Sequence, residues 1–170
     1  YFIRESEWEK HFEYWRKEMH AWLESLGVHK DHVHDHEIEK DELAHYSKRT
    51  IDIEYDYPFG RKELYGLAYR TDFDLKNHME KSGADLRYMD PESNEKFIPH
   101  VVEPTFGIDR TVLVVLLEAY REEKERVVLA LPPKLAPYKV AVFPLLANKP
   151  QLVERAKQIA DDLRQHFTVA

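Results

Sequence analysis

Two periods of hydrophobic and polar residues divide the first part of this chain into predicted elements. Large apolar side chains recur every three or four positions over residues 8–26, which predicts an amphipathic helix whose aromatic stripe packs into the core. Apolar and acidic residues alternate within residues 49–57, which predicts a half-buried strand of an antiparallel sheet. A turn at residues 58–60 and a returning strand at residues 63–69 complete a hairpin.

A second hairpin is predicted around the turn at residues 91–95. It leads into the sequence FIPHVVEPTFGIDRTVLVVLLEAY at residues 97–120, whose extended first part ends near Gly107. A helix is predicted to follow over residues 108–122. Because this helix is apolar nearly all round, we predict that it is buried.

The last 45 residues change in character. Residues 126–130 predict a short strand, and three prolines within residues 132–138 predict a stiff linker. The run KVAVFPL at residues 139–145 is continuously apolar, which predicts a strand buried on both faces, and residues 149–167 predict a helix. A strand followed by a helix predicts the beginning of an α/β domain.

Composition and charge narrow the class of protein. With 170 residues and 43% apolar content, the chain can form the core of one domain and part of a second. It has no cysteine, which excludes a disulfide framework and a thiolate zinc site. The net charge of −7 argues against a general nucleic-acid coat but allows local contacts with a nucleic acid. Since no apolar run approaches the roughly 18 residues of a membrane span, we expect a cytoplasmic protein without a membrane partner.

Four histidines stand close together at His29, His32, His34 and His36. Their spacing matches no standard tetrahedral metal site, and the lysines and aspartates between them are typical of a solvated loop. We therefore expect a charged loop here, without a physiological metal.

Two carboxylates and two guanidiniums are the main chemical candidates: Glu63, Arg70, Glu103 and Arg110. If the predicted strands lie side by side, these groups suit a polyphosphate with Mg²⁺. Gly66 within the returning strand suggests the close approach of another backbone or of a ligand. The alternative is a pair of structural ion pairs. Glycoside hydrolysis is disfavoured because adjacent arginines lower the pKa values of the carboxyl groups, and a general acid needs a raised pKa. The sequence also shows no nucleophile–base pair and no Gly-rich phosphate loop. Any ATP chemistry would therefore depend on positioning and electrostatics.

Two segments resemble one known family. EPTFGIDRTVL at residues 103–113 closely resembles the third signature motif of class II aminoacyl-tRNA synthetases, in the form used by glycyl-tRNA synthetases. KELYGLAYRTDFDLKNH at residues 62–78 resembles a second stretch of that family, in the right order and at about the right distance. LAHYSK at residues 43–48 also resembles a recurring piece of the family, but neither His45 nor Tyr46 is assigned a role.

The resemblance implies a fold and an activity. The fold would be α+β, with an antiparallel sheet and helices of the class II catalytic type over residues 1–131, a Pro-rich linker at 132–138 and an incomplete α/β anticodon-binding domain at 139–170. The activity would be ATP-dependent ligation of glycine to tRNA(Gly) through glycyl-adenylate, with Mg²⁺, in a homodimeric parent. The family's first and second motifs do not appear, so the isolated chain is expected to be inactive.

The resemblance also implies roles for single residues. Arg110 and Arg70 would be catalytic, with Arg110 on the γ-phosphate and Arg70 near the α-phosphate of ATP. Glu63 would bind Mg²⁺ through ATP, and Glu103 would face the ammonium group of glycine. Thr105 departs from the serine expected at its position. The implied ATP-binding residues are Glu63, Leu64, Gly107, Ile108, Asp109 and Arg110, and the implied glycine-binding residues are Glu103, Pro104, Thr105, Phe106 and Gly107.

Two other functions remain open. A synthetase-like accessory subunit could keep the fold without enzymatic activity, although a scaffold has no use for the charges of Glu63, Glu103 and Arg110 together. A class II synthetase of different amino-acid specificity is the second alternative, which the EPTFG and RTDFDL sequences disfavour.

Overall fold

A computed structural model describes residues 1–170, and it divides into two compact units, Tyr1–Glu118 and Ala119–Ala170. The structure is α+β, with an antiparallel sheet and four helices. None of these helices is both long and apolar enough to cross a bilayer. The strands are β1 (Phe2–Ile3), β2 (Val33–Glu37), β3 (Arg49–Tyr57), β4 (Gly60–Thr71), β5 (Tyr88–Met89), β6 (Lys96–Phe97), β7 (His100–Phe106), β8 (Tyr120–Glu122) and β9 (Val127–Leu129), and the helices are α1 (Trp8–Ser25), α2 (Phe73–Ser82), α3 (Ile108–Ala119) and α4 (Pro150–Leu163).

The first unit is built on a five-stranded antiparallel sheet in the order β1-β7-β4-β3-β2. The predicted β3–β4 hairpin is confirmed, and its turn contains Gly60 at a φ of 106°, where a side chain would be strained. One face of β3 is buried, as its alternation predicts. The buried residues of that face are Ile51, Ile53, Tyr55 and Tyr57. The second hairpin, β5–β6, is also confirmed.

Helix α1 packs on β4 and β7 through part of its predicted stripe. Phe12 and Met19 are buried, whereas Trp22 is half exposed and Leu23 is buried in its place. The helix ends shortly before Gly27, whose φ of 86° suits glycine in a left-handed turn. The amphipathic prediction therefore holds, with Leu23 buried instead of Trp22 and Leu26 buried as predicted.

The prediction of a charged loop at residues 29–36 is wrong for its second half. Residues 33–37 form β2, which pairs with β3 so that Val33 lies opposite Tyr55 and Glu37 opposite Ile51. The strand is at the edge of the sheet, where polar and charged side chains are common because one side of the backbone stays unpaired. The hydrophobic pattern of β2 is too weak to predict a strand, because most of its residues are polar. Its strand conformation depends on backbone pairing with β3.

The prediction of a buried helix over residues 108–122 is also corrected. Helix α3 ends at Ala119, and only its inner face is buried, with Val114 completely inaccessible to solvent. Its outer face is apolar and open, and Ile108 there is 70% exposed. Within the first unit, the sheet covers one side of the helix and nothing covers the other.

The second unit contains the antiparallel pair β8–β9 and helix α4. The strand predicted at residues 126–130 is confirmed as β9. The run at residues 139–145 is not a buried strand: it forms one parallel bridge, between Val140 and Val169, and Leu145 is 87% exposed. Residues 168–170 are its backbone partners, with Lys139 donating to Thr168 and Ala170 to Val140, and they leave most of the run exposed. The assignment of catalytic and anticodon-binding domains to residues 1–131 and 139–170 stays a prediction.

Candidate functional site

One face of the sheet carries the polar residues, and the hydrogen-bonded register shows which of them are neighbours. Directly opposed residues of adjacent strands point to the same face. Gly66 of β4 lies between Asp52 and Thr105, and Ala68 lies between Thr50 and Glu103. We call this side of the central strands the polar face; it is lined by Thr50, Asp52, Gly66, Ala68, Glu103 and Thr105.

A bulge in the β3–β4 ladder brings Glu63 onto the same face. Ile53 pairs with Tyr65 but the next residue, Glu54, pairs with Glu63, so Leu64 is an extra residue. Leu64 and Tyr65 are both buried on the opposite face. A Cβ at Gly66 would lie 3.8 Å from Oε1 of Glu63, which places that carboxylate beside Gly66 on the polar face.

The start of α3 is fastened to β4. Thr111 donates from its backbone N–H and from Oγ1 to the carbonyl oxygen of Gly107, at 2.8 and 2.7 Å. The hydroxyl of Tyr65 lies 2.7 Å from the same Oγ1. A Cβ at Gly107 would lie only 3.1 Å from the carbonyl oxygen of Leu64, so glycine allows this close approach.

Because the start of α3 is held against β4, Arg110 lies close to Glu63. Nη1 of Arg110 lies 3.2 Å from Oε2 of Glu63 and donates to the backbone oxygen of the same residue at 3.2 Å. Oε1 of Glu63 accepts no hydrogen bond. The pair borders a cavity of about 330 Å³. That cavity is lined by Tyr57, Phe59, Lys62, Glu63, Arg110 and Leu113.

Arg70 and Glu103 form a second ion pair. Arg70 lies at a second bulge, between the pairs Tyr69–Val102 and Thr71–Val101, and bulges re-aim side chains. Its Nη1 donates to Oε2 of Glu103 at 2.8 Å.

Asp74 holds Arg70 from the other side. Nε and Nη2 of Arg70 donate to the two oxygens of Asp74, at 2.7 and 3.1 Å. The hydrogen bonds to Asp74 and then to Glu103 raise the pKa of Arg70 above its ordinary high value. The guanidinium is therefore a permanent positive charge in a fixed orientation.

The predicted cluster of four charges is thus two ion pairs: Glu63 of β4 with Arg110 of α3, and Arg70 of β4 with Glu103 of β7. Ala68, which faces Glu103, is five residues beyond Glu63 on β4, so the Cα atoms of Glu63 and Ala68 are about 15 Å apart along the strand. The carboxylate of Glu63 reaches back to Gly66, so the charged groups themselves are closer than that. Small side chains, Gly66 and Ala68, lie between them. An elongated ligand could lie along this strip of the polar face, with charged groups at both of its ends.

The remaining predicted residues divide between the two faces. Thr105 lies on the polar face, opposite Gly66, whereas Pro104 and Phe106 are opposite Leu67 and Tyr65 on the buried side. Leu64 is completely buried, so only its backbone could contact ATP. Ile108 and Asp109 are exposed at the start of α3.

Sequence reasoning missed three residues of the site. Asp74 and Tyr46 contact Arg70, the latter through its ring at 3.9 Å from the guanidinium carbon. Asp52, on the polar face, is the third missed residue. Burial raises the pKa of its carboxyl group, and the negative charge of Glu63 raises that pKa further. The sequence offers no local signal for the Arg70–Asp74 pair, because Arg70 lies near the end of a strand and Asp74 near the start of a helix, and the position of Tyr46 depends on the folding of a loop.

The donor set is compatible with Mg²⁺ bound mainly through a substrate. No group of three histidine, cysteine, aspartate or glutamate side chains is close enough to hold a metal ion. The histidines of residues 29–36 contact different carboxylates, for example His32 with Glu118 and His34 with Asp56, both at 2.7 Å. The free Oε1 of Glu63 is a suitable single ligand, since Mg²⁺ in nucleotide sites takes one or two carboxylates, phosphate oxygens and water.

Curated proteins with similar sequences share one name. The glycine–tRNA ligase of Geobacillus thermodenitrificans is 45% identical over 174 aligned residues, which cover 99% of this chain and 37% of that protein. The glycine–tRNA ligase of Clostridium tetani is 48% identical over 163 residues, covering 93% of this chain and 35% of that protein. That of Thermobifida fusca is 43% identical over 181 residues, covering 99% and 39%.

No protein-family model matches the chain. The chain spans about 37% of the length of the curated relatives it matches. The alignments nevertheless cover 93–99% of the chain. By sequence, the chain is therefore a member of the glycine–tRNA ligase family over the part of those proteins that it spans, which confirms the resemblance to glycyl-tRNA synthetases.

Proposed function

We propose that the full-length protein carrying this chain activates glycine with ATP to form glycyl-adenylate and transfers the glycyl group to tRNA(Gly). The relatives are named for that ligation. The observation that carries the proposal is the Arg70–Glu103 pair on the polar face. It presents a positive and a negative group side by side, which matches the opposite charges of an amino acid.

Glu103 would hold the ammonium group of glycine. Its Oε2 is bonded to Arg70, its Oε1 accepts no hydrogen bond, and the side chain is partly exposed. A charge-assisted hydrogen bond to an ammonium group contributes about 1.5–3 kcal/mol. Arg70 would face the glycine carboxylate and the α-phosphate that it attacks, where it offsets the negative charge that develops in the transition state.

Arg110 would bind the γ-phosphate at the other end of the strip. Its contact with Glu63 is half exposed, so the guanidinium can turn to a phosphate at little cost. Glu63 would then be released to hold Mg²⁺ through its carboxylate. The metal ion would neutralise phosphate oxygens as pyrophosphate leaves.

The finer assignments belong to the same proposal. The first unit would be part of a class II catalytic domain, whose ATP lies over an antiparallel sheet. The parallel bridge between Val140 and Val169 on either side of α4 supports the start of an α/β anticodon-binding domain in the second unit. We also propose that the full-length protein is a cytoplasmic homodimer.

Glycine-dependent exchange of labelled pyrophosphate into ATP by the full-length gene product tests the function. We expect exchange with glycine and much less with alanine or serine, and charging of tRNA(Gly) in a second assay. Exchange with another amino acid alone would indicate a different specificity. Absence of any exchange would indicate a non-enzymatic accessory protein. The 170-residue chain by itself is expected to show no exchange.

A further inference from the structure

The segment LAHYSK at residues 43–48 contributes the Tyr46 ring to the site described above, but no role has yet been assigned to that ring. The segment is fastened next to Arg70. The backbone N–H of Lys48 donates to the carbonyl oxygen of Tyr69 at 2.9 Å, and the Ser47 hydroxyl lies 3.3 Å from the same oxygen. The Ser47 hydroxyl also lies 2.8 Å from that of Thr50 on β3. Residue 46 is therefore held close to the residue that follows Tyr69 in β4, which is Arg70.

The ring of Tyr46 lies under the guanidinium of Arg70. The guanidinium carbon is 3.9 Å from the ring centroid, within the range of a cation–π contact. The two carboxylates that bind Arg70, Asp74 and Glu103, accept hydrogen bonds from its N–H groups. Such bonds restrain the guanidinium within its own plane, whereas a ring on one face opposes tilting out of that plane.

Arg70 keeps unused hydrogen-bonding capacity. A guanidinium has five N–H donors. Three of them are used, two by Asp74 and one by Glu103, which leaves one on each terminal nitrogen. These two N–H groups remain available to donate to the oxygens of a carboxylate or phosphate group.

We propose that Tyr46 is a positioning residue, which holds the guanidinium of Arg70 so that its two unpaired N–H groups face the reacting anion. This inference rests on the proposed function, because the anion is the glycine carboxylate or the α-phosphate of ATP. Tyr46 does not touch the substrate. Its ring supplies the contact, and its hydroxyl is not required.

Two substitutions separate the ring from a merely structural role. Tyr46→Phe keeps the aromatic ring, whereas Tyr46→Leu removes the ring and leaves an apolar side chain of moderate size. In glycine-dependent pyrophosphate exchange by the full-length gene product, Tyr46→Phe should stay within about twofold of wild type. Tyr46→Leu should lower kcat by about 2- to 30-fold, the range that a cation–π contact supports, with KM for ATP nearly unchanged. Tyr88→Leu, the same change at an exposed tyrosine of β5, is the control and should match wild type.

A second measurement is independent of activity. In the 170-residue chain, the exchange rate of the Arg70 Nε–H with solvent can be followed by ¹⁵N NMR. It should rise in Tyr46→Leu and stay at the wild-type value in Tyr46→Phe. If Tyr46→Leu matches wild type in both measurements, or Tyr46→Phe is as impaired as Tyr46→Leu, the positioning role is overturned. If the wild-type full-length protein shows no pyrophosphate exchange while the NMR difference between Tyr46→Leu and Tyr46→Phe is as expected, the proposed function is overturned and the contact between Tyr46 and Arg70 is established.

Discussion

Arg110 meets Glu63 twice, through the carboxylate and through the backbone oxygen, both at 3.2 Å from Nη1. The two contacts join the first turn of α3 to the bulged part of β4. Both side chains are about half exposed, so the pair contributes on the order of 0–1 kcal/mol to folding. A contact this weak can be exchanged for a stronger one with a phosphate group.

Arg110→Ala should lower the adenylation rate of the full-length protein by about 10²–10³-fold, as expected for the loss of one preorganised charge contact. The free energy of unfolding should change by about 1 kcal/mol or less. Pyrophosphate exchange and urea unfolding measure the two effects. Arg61→Ala is a matched control, because Arg61 is also half exposed and pairs with Asp56 in the β3–β4 hairpin, which carries Glu63. Normal exchange by Arg110→Ala would assign Arg110 a structural role.

Gly66→Ala should separate activity from stability. The added Cβ would meet only Oε1 of Glu63, at 3.8 Å, so the strand accepts it without strain. Replacing glycine by alanine inside a strand should stabilise the chain by roughly 0.5–1 kcal/mol. If the substrate lies on the strip between the two ion pairs, the methyl group displaces it, and activity should fall by about 10- to 100-fold. Wild-type exchange in a stabilised variant would show that no ligand approaches Gly66.

Gly107→Ala should act in the opposite way on folding. Its Cβ would lie 3.1 Å from the carbonyl oxygen of Leu64 and 3.2 Å from Cδ of Arg110. The carbonyl belongs to the β4 bulge and cannot move freely, so α3 must shift. We expect a loss of about 1–3 kcal/mol in urea unfolding, with Gly66→Ala as the control for the same chemical change. An unchanged midpoint would mean that the junction of α3 and β4 is loose.

Local patterns predict part of this structure, and the rest depends on long-range pairing. The alternation in residues 49–57 identifies the buried face of β3 because the side-chain period of a strand is two. The extra residue Leu64 has no such local signal, yet it decides which face Glu63 occupies. Strand β2 was missed because its residues are mostly polar and its order comes from β3.

The candidate site shows the same division. The resemblance identified Glu63, Arg70, Glu103 and Arg110, and the structure adds how they are paired. The two pairs are separate because Glu63 and Ala68, which faces Glu103, are five residues apart on an extended strand. The sequence alone does not show which residue of β7 lies opposite Ala68. The ring of Tyr46 reaches Arg70 only because a loop folds back onto β4, and spacing along the chain does not predict such a contact.

The Asp74–Arg70 pair should make stability depend on pH at the acidic end. The hydrogen bond from Arg70 lowers the pKa of Asp74 below its ordinary value. A carboxylate with a lowered pKa stabilises the folded state above its unfolded pKa of about 3.9, and that contribution is lost as pH falls through the folded pKa. Asp74→Asn should therefore cost about 1 kcal/mol or less at pH 7, and the difference from wild type should shrink below about pH 4. Urea unfolding at both pH values measures it, and a constant difference would contradict the linkage.

Glu103→Ala should affect glycine and leave ATP nearly alone. Oε1 of Glu103 is free to accept a hydrogen bond from an ammonium group, whereas the proposed phosphate contacts lie with Arg110, which pairs with Glu63 and not with Glu103. We therefore expect a sharp rise in KM for glycine in adenylation assays and little change in KM for ATP. Equal weakening of both would show that Glu103 acts through the orientation of Arg70 or through a metal ion.

Thr105 should help to exclude amino acids larger than glycine. It lies opposite Gly66 and two residues from Glu103 on the polar face, so its side chain borders the place where an amino-acid side chain would project. An attractive pocket separates one methylene group by only about 1–3 kcal/mol, and a rigid wall can do better by steric clash. Thr105→Gly should therefore admit alanine, measured as alanine-dependent pyrophosphate exchange. Thr105→Ser, which keeps the hydroxyl and loses only the methyl group, is the matched control. If alanine is activated equally by wild type and Thr105→Gly, the wall lies elsewhere and selection against the methyl group must come from residues outside this part of the sheet.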